Sequence, residues 1–293
     1  MIDKLEMLIA LAREEHFGRA AESLGITQPT LSAGIKQLEA QLGVQLVWRG
    51  SRYGGLTPEG ARALDWARRI VGDARTLREE MRAVHRGLSG TLRIAVIPTA
   101  LTVAARLTAS FCAAHPGVRV SVLSRSSVEI LSMIEDLEAD AGVTYLDNEP
   151  LGRMVTVPLY REEYQLVCPA DSPLAARDEV TWEEIAGVAL CLLTPDMQNR
   201  RIVNQRLFEA GVTPEVRVES NSTVVLMSHV AEGGWSTILP REMAGFLSAG
   251  RAVKAVPIRG AAAMHSVGLI APWREPHTPV LEALIEAGQR LAD

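Results

Sequence analysis

The stretch "TQPTLSAGIK" (27–36) sets polar and small side chains between Leu31 and Ile35. A glutamine amide can bond an adenine edge at two atoms. The methyl groups of Thr30 and Ala33 match a thymine methyl, and Lys36 can reach phosphate or guanine. Thr27 and Ser32 add hydroxyls suited to phosphate oxygens, and Pro29 leaves the first turn of a helix intact. Together Thr27, Gln28, Pro29, Thr30, Ser32, Ala33 and Lys36 give the chemistry of a helix lying in a DNA groove. The alternative is an ordinary solvated helix face.

Such a face requires an opposite, buried one. Leu31, Ile35, Leu38 and Leu42 recur at spacings of 4, 3 and 4, the stripe of an amphipathic helix. Thr27 is its expected N-cap and Gly43 its stop. Upstream, Leu5, Leu8, Ile9 and Ala12 predict a first helix over 4–13. Ala20, Ala21 and Leu24 predict the buried side of a second helix over 18–24, ended by Gly25. Downstream, 44–48 and Leu56-Thr57 read as a small hairpin around "RGSRYGG", with Arg49 and Arg52 at its rim as further DNA contacts. Thr57-Pro58-Glu59 then opens a long helix. Along it Leu64, Ala67, Val71, Ala74, Leu77, Met81, Val84 and Leu88 form a narrow apolar seam, which predicts helix pairing between two copies. "RGLSG" (86–90) reads as a hinge.

The bulk composition agrees. The 293 residues suggest about two domains, and 47 % hydrophobic with 22 % charged residues is a globular mixture. Three scattered cysteines read as reduced core thiols. The net charge of −5 hides an asymmetry, since residues 1–90 carry +2 and the remainder −7. That sign suits an N-terminal module meeting a polyanion. The start lacks the pattern of a signal peptide, and no run is long and apolar enough to span a membrane. A cytoplasmic protein without membrane association is expected.

From Thr91 strands alternate with helices, predicting an α/β domain with parallel sheets. No nucleophile elbow, zinc-protease or phosphate-loop motif occurs, and the six histidines show no metal-ligand spacing. No enzyme, metal or cofactor is expected.

The ordered set Ala20-Ala21, Leu24, Gln28-Pro29, Leu31-Ser32, Ile35, Leu38-Glu39, Leu42-Gly43, Leu46, Arg49, Leu56-Thr57 and Gly60 resembles the winged helix-turn-helix of LysR-type transcriptional regulators. "VAEGGWSTILP" is similar to a segment of their effector domains. The resemblance implies a winged helix-turn-helix over 1–58, a linker and dimerisation helix with hinge over 59–90, and an effector domain over 91–293. That domain would resemble periplasmic binding proteins, with two Rossmann-like lobes: lobe I at 91–163 and 269–293, lobe II at 164–268. It further implies double-stranded DNA, RNA polymerase and a small effector as partners, and a homotetramer built from dimers. The sequence departs from the family at Gly18, at Ala33-Gly34 and at Trp48, which touches base preference rather than fold.

In an α/β domain ligands sit beyond the carboxyl ends of strands, and free N–H groups at the following helix starts favour negative charge. Thr99, Ser126, Thr144 and Thr223 stand at such junctions and are the expected contacts for a carboxylate or other anion. Arg125 and Arg200 are candidate charges, and Met197 and Trp235 candidate walls. Simple helix capping is the competing account of each junction. A transport-type solute-binding protein and an α/β enzyme without short motifs are the rival functions.

Overall fold

The computed structural model describes residues 1–48, 53–147, 150–260 and 265–292. Contacts divide the chain into two units. The first is Met1–Ser89 with Met133–Glu138 and Arg274–Val280; the second is Gly90–Ser132, Ala139–Trp273 and Leu281–Asp293.

The first unit holds α1 (Ile2–Glu14), α2 (Phe17–Ser23), α3 (Gln28–Leu42) and α4 (Pro58–Arg86). Leu8, Leu11, Leu31, Leu38 and Leu46 are completely buried in its core. Each such leucine contributes about 1.5–3 kcal/mol through removal from water. Two expected core residues lie outside. Leu24 follows the last turn of α2 and Leu42 is the last residue of α3, and both are exposed. Past its last turn a helix no longer holds its stripe against the core. Instead Glu39 turns inward, and its Oε1 accepts the amide hydrogens of Leu46 (2.9 Å) and Val47 (3.3 Å). The hairpin base is an isolated bridge, Val47 with Leu56, flanked by Trp48 N–H to Gly55 O (3.0 Å).

Thr57 caps α4 doubly. Its Oγ1 accepts from Gly60 N (2.9 Å) and donates to Gln45 O (2.7 Å). Gly60 is required there, because a Cβ would stand 1.9 Å from the Leu46 carbonyl oxygen. The expected seam of α4 divides into two faces. Leu64, Ala67 and Val71 are buried in their own unit, whereas Leu77, Met81 and Val84 are exposed together with Trp66 and Ile70. At 3.6 residues per turn the five exposed residues share one face.

The second unit contains two lobes. In the first, the sheet order is β2-β1-β3-β11-β4, formed by β1 (Gly90–Val96), β2 (Val118–Ser124), β3 (Ala141–Tyr145), β4 (Met154–Arg161) and β11 (Ser266–Pro272). Helices α5 (Leu101–Ala114), α6 (Ser127–Glu135) and α10 (Pro279–Ala292) accompany it. The second lobe has a β6-β10-β5-β9 sheet and a β7-β8 pair. Its strands are β5 (Tyr164–Pro169), β6 (Val180–Thr181), β7 (Ala189–Leu193), β8 (Glu215–Ser220), β9 (Thr237–Pro240) and β10 (Val253–Arg259). Helices α7 (Gln198–Glu209), α8 (Thr223–Glu232) and α9 (Arg241–Ser248) complete it.

The sheets are mixed rather than parallel. β1 pairs in parallel with β2 and β3, but β11 runs antiparallel to β3 and β4, and β10 and β9 run antiparallel to β5. The reason is topological: the chain leaves the first lobe after β4 and returns through β11, inserting a late strand between two early ones. Sequence periodicity does not predict β4 or α9. β4 is interrupted by Pro158 and carries a mixed burial pattern, so its period is blurred.

Candidate nucleic-acid interface and effector cleft

The face expected to meet DNA is built by α3. Thr27 adopts an extended conformation and caps it, accepting from Thr30 N (3.4 Å) and sharing a hydroxyl–hydroxyl bond with Thr30 (2.9 Å). Pro29 falls in the first turn, where its missing N–H has no helical partner to lose. Thr27, Gln28, Pro29, Thr30, Ala33 and Lys36 are exposed and Ser32 is half-buried, while Leu31, Gly34, Ile35 and Leu38 are buried behind them. The polar flank of α3 is therefore open and its apolar stripe is covered. Arg49 and Arg52 lie outside the described residues.

Gly34 is a core position and not part of the open surface. A Cβ there would meet the Met7 sulfur at 2.2 Å, so a larger residue would require the Met7 side chain to move. Gly18 has a different reason. His16 caps α2, its Nδ1 accepting from Gly18 N (3.1 Å) and Arg19 N (3.3 Å). A Cβ on Gly18 would press on that ring at 3.0 Å and come within 3.7 Å of Gln28 Oε1. The distance to Gln28 is an ordinary contact, so the His16 ring is the tighter neighbour.

In the second unit some of the small polar residues lie between the lobes. A cavity of about 340 Å3 is lined from the first lobe by Pro98, Leu101, Ser124, Arg125 and Glu129, and from the second by Met197 and 221–224. Thr223 lies in this wall. The Arg125 side chain is exposed and donates to the adjacent Ser124 carbonyl (2.7 Å). No side chain caps α8, so its first-turn N–H groups face outward from the helix start.

Other expected contacts have different situations. Ser126 forms a capping box with Glu129: its N–H and Oγ both donate to Glu129 Oε2 at 2.8 Å, and Oγ accepts from Glu129 N at 3.3 Å. Its competing structural role is therefore filled. Thr99 and Thr144 are 1 % exposed, with hydroxyls that lack a bonding partner. Arg200 is not an available charge. It is buried and donates to Leu193 O (2.6 Å), Glu219 Oε1 (2.8 Å) and Asn204 Oδ1 (2.9 Å). Met197 lines the cavity, while Trp235 packs against the core of the second lobe.

Sequence reasoning misses Glu162, between β4 and β5 where the chain crosses between lobes. It is 1 % exposed, and its Oε2 accepts from the Tyr145 and Tyr164 hydroxyls, each at 2.8 Å. Asn199, at the start of α7, donates to the Tyr145 hydroxyl at 3.3 Å and so joins the second lobe to the cluster. Glu162 Oε1 has no partner. Burial pushes the carboxyl up to about 7 despite the tyrosine hydrogen bonds. Burial also raises Tyr145 and Tyr164 well above the usual phenol range. No sequence signal marks a lone Glu-Glu pair as buried; only its place between two strands could have raised the question.

Comparison with known proteins assigns both units. Residues 2–61 match the bacterial regulatory helix-turn-helix of the lysR family, and residues 85–292 match the LysR substrate binding domain. The chain is 31 % identical over 240 residues to the DNA-binding transcriptional dual regulator OxyR of Escherichia coli, covering 82 % of this chain and 78 % of the relative. It is 30 % identical over 254 residues to the HTH-type transcriptional regulator CbbR of Rhodospirillum rubrum, covering 85 % and 83 %. A full-length OxyR variant from Pseudomonas aeruginosa has a TM-score of 0.77 at 26 % identity, covering 100 % of this chain and 96 % of that one. The chain accordingly belongs to the LysR family, as a DNA-binding transcriptional regulator with an effector-binding domain C-terminal to its helix-turn-helix.

Proposed function

We propose that α3 reads an operator through Gln28, with Thr30, Ala33 and Lys36 beside it and Thr27, Pro29 and Ser32 against the phosphates. Arg49 and Arg52 add contacts from the wing. The observation that carries this reading is the opposition on α3 of a buried apolar stripe and an exposed polar flank. The exposed stripe Trp66, Ile70, Leu77, Met81 and Val84 supports pairing of two α4 helices. A dimer so formed presents two recognition helices and favours an inverted repeat. Dimers pair into a tetramer, which acts with RNA polymerase in the cytoplasm, where bacterial DNA lies. The division at residues 58 and 90 into DNA-binding, linker and effector segments belongs to the same reading.

The inter-lobe cavity takes a small anionic metabolite and releases it unchanged. Arg125 and the uncapped start of α8 supply positive potential in a wall that also holds Glu129, and Thr223 supplies a hydroxyl, whereas the expected contacts Thr99, Ser126 and Thr144 stand outside that wall. Several relatives are named hydrogen peroxide-inducible genes activators. Two of the three thiols here argue against peroxide as the signal. Cys168 and Cys191 are completely buried, and burial pushes the Cys168 thiol up and the Cys191 thiol to about 11. A thiol kept protonated is a poor nucleophile toward peroxide. The third, Cys112, is exposed on α5.

Quantitative footprinting tests the DNA reading. Gln28→Ala should lose about 1–3 kcal/mol of discrimination between operator and random DNA. An unchanged ratio overturns the role of Gln28. Peroxide should leave the wild-type footprint unaltered, and a footprint change abolished by Cys112→Ser or Cys191→Ser would restore the thiol reading.

A further inference from the structure

Histidine is not among the residues preferred at a helix N-cap, where Ser, Thr, Asp and Asn dominate. His16 nevertheless caps α2, with Nδ1 accepting from Gly18 N at 3.1 Å and Arg19 N at 3.3 Å. A neutral imidazole has one N–H and one acceptor nitrogen, and a protonated ring has no acceptor. A ring that accepts at Nδ1 is therefore neutral and carries its proton on Nε2. The two ring nitrogens diverge, so this N–H is directed away from the start of α2. His16 is exposed, and no group among the described residues accepts the Nε2 proton.

The ring stands beside Gln28. A single point, where a Cβ of Gly18 would be, lies 3.0 Å from His16 Cε1 and 3.7 Å from Gln28 Oε1. The charges around it are engaged elsewhere. Glu14 pairs with Arg13 at 2.8 Å, and the Arg19 guanidinium donates to the Glu14 carbonyl at 2.6 Å. Glu15 turns the chain between α1 and α2 with a φ of 49°, and its charge bears on Tyr53. In a helix-turn-helix the first helix crosses the phosphate backbone while the second enters the groove. A donor at the head of α2, next to the glutamine of α3, stands where that backbone passes.

We propose that His16 binds a DNA phosphate through its Nε2–H, and that capping α2 through Nδ1 fixes the tautomer able to do so. This inference rests on the reading of α3 as the groove-entering helix and adds a residue to that interface. The backbone amides of α2 are not the site, because His16 itself occupies Gly18 N and Arg19 N. A shorter capping side chain would satisfy the same amides and have no N–H at that reach.

The test measures the affinity of the full-length protein for an operator duplex selected from a random pool, and for random DNA, over a range of salt. His16→Asn keeps a capping side chain and loses the ring donor. It should bind both duplexes about three- to tenfold more weakly, the net worth of a single hydrogen bond. The ratio between the duplexes and the slope of log K against log salt should not change, because the lost contact is uncharged on the protein side and reads no base. Single methylphosphonate substitutions along the operator should reveal one phosphate whose neutralisation weakens the wild type but not His16→Asn. That comparison is made within each protein, so it remains readable if the variant melts early. Wild-type affinity in His16→Asn, or substitution effects that do not depend on residue 16, reduces His16 to a cap and overturns the proposal. A loss confined to the operator makes His16 a base reader and overturns the phosphate assignment. A wild type that prefers no duplex from the pool overturns the reading of α3 as well.

Discussion

Glu39 and Glu162 are both buried glutamates, yet they do opposite kinds of work. Glu39 reaches seven and eight residues along the chain and fixes the backbone at Leu46 and Val47, which positions the wing. Glu162 draws together tyrosines from two strands of different lobes and leaves one oxygen unpartnered. The first unit pairs Glu39 with nearby backbone, although Arg68 Nε stays buried without a hydrogen-bond partner. The second retains buried oxygens without a hydrogen-bond partner at Thr144 and Glu162. A recognition surface gains from rigidity, whereas a sensor needs groups whose partners change.

The sharpest break in this comparison is Leu38→Ala. Leu38 is completely buried behind the recognition face, and its truncation should cost about 2–5 kcal/mol. Chemical denaturation should show the loss, with operator binding falling in parallel. Next is Glu162. Its folded carboxyl titrates near 7 against an ordinary value of 4.5. Between these values the folded state binds more protons than the unfolded one, so stability falls as pH rises. The loss should total about 3 kcal/mol from pH 4.5 to above 7. Glu162→Gln should remove that slope, as urea midpoints at pH 5 and pH 8 will show. An unchanged slope would mean that the carboxyl is solvated. The smallest effect is Thr27→Ala, which removes the α3 cap and should cost about 1 kcal/mol, read as a modest shift in thermal midpoint.

The difference between the regions also explains what can be read in advance. The helices of the first unit follow from spacing, because Leu31, Ile35 and Leu38 are neighbours on one element. The caps at Thr27 and Thr57 and the stop at Gly43 are local signals as well. The errors at Leu24 and Leu42 fall at helix ends, where periodicity stops constraining direction. Sequence alone does not show that Gly34 is buried, because the Met7 side chain beside it comes from another helix. In the second unit the junction residues are visible, but their environments are not. Thr223 lines the cavity, Ser126 is engaged by Glu129, and Arg200 is held by three partners. Those outcomes depend on side chains distant in sequence. Glu162 is invisible for the same reason, and β4 is obscured by Pro158.

The insertion of β11 sets an order on biosynthesis. β4 pairs only with β11 in its sheet, and β11 is not made until residue 266. As the ribosome proceeds, the first lobe waits with the margins of β3 and β4 unzipped until β11 has been made. A transcript cut short before that codon yields a product whose sensing half cannot close its sheet, so premature termination silences the receptor rather than merely trimming it.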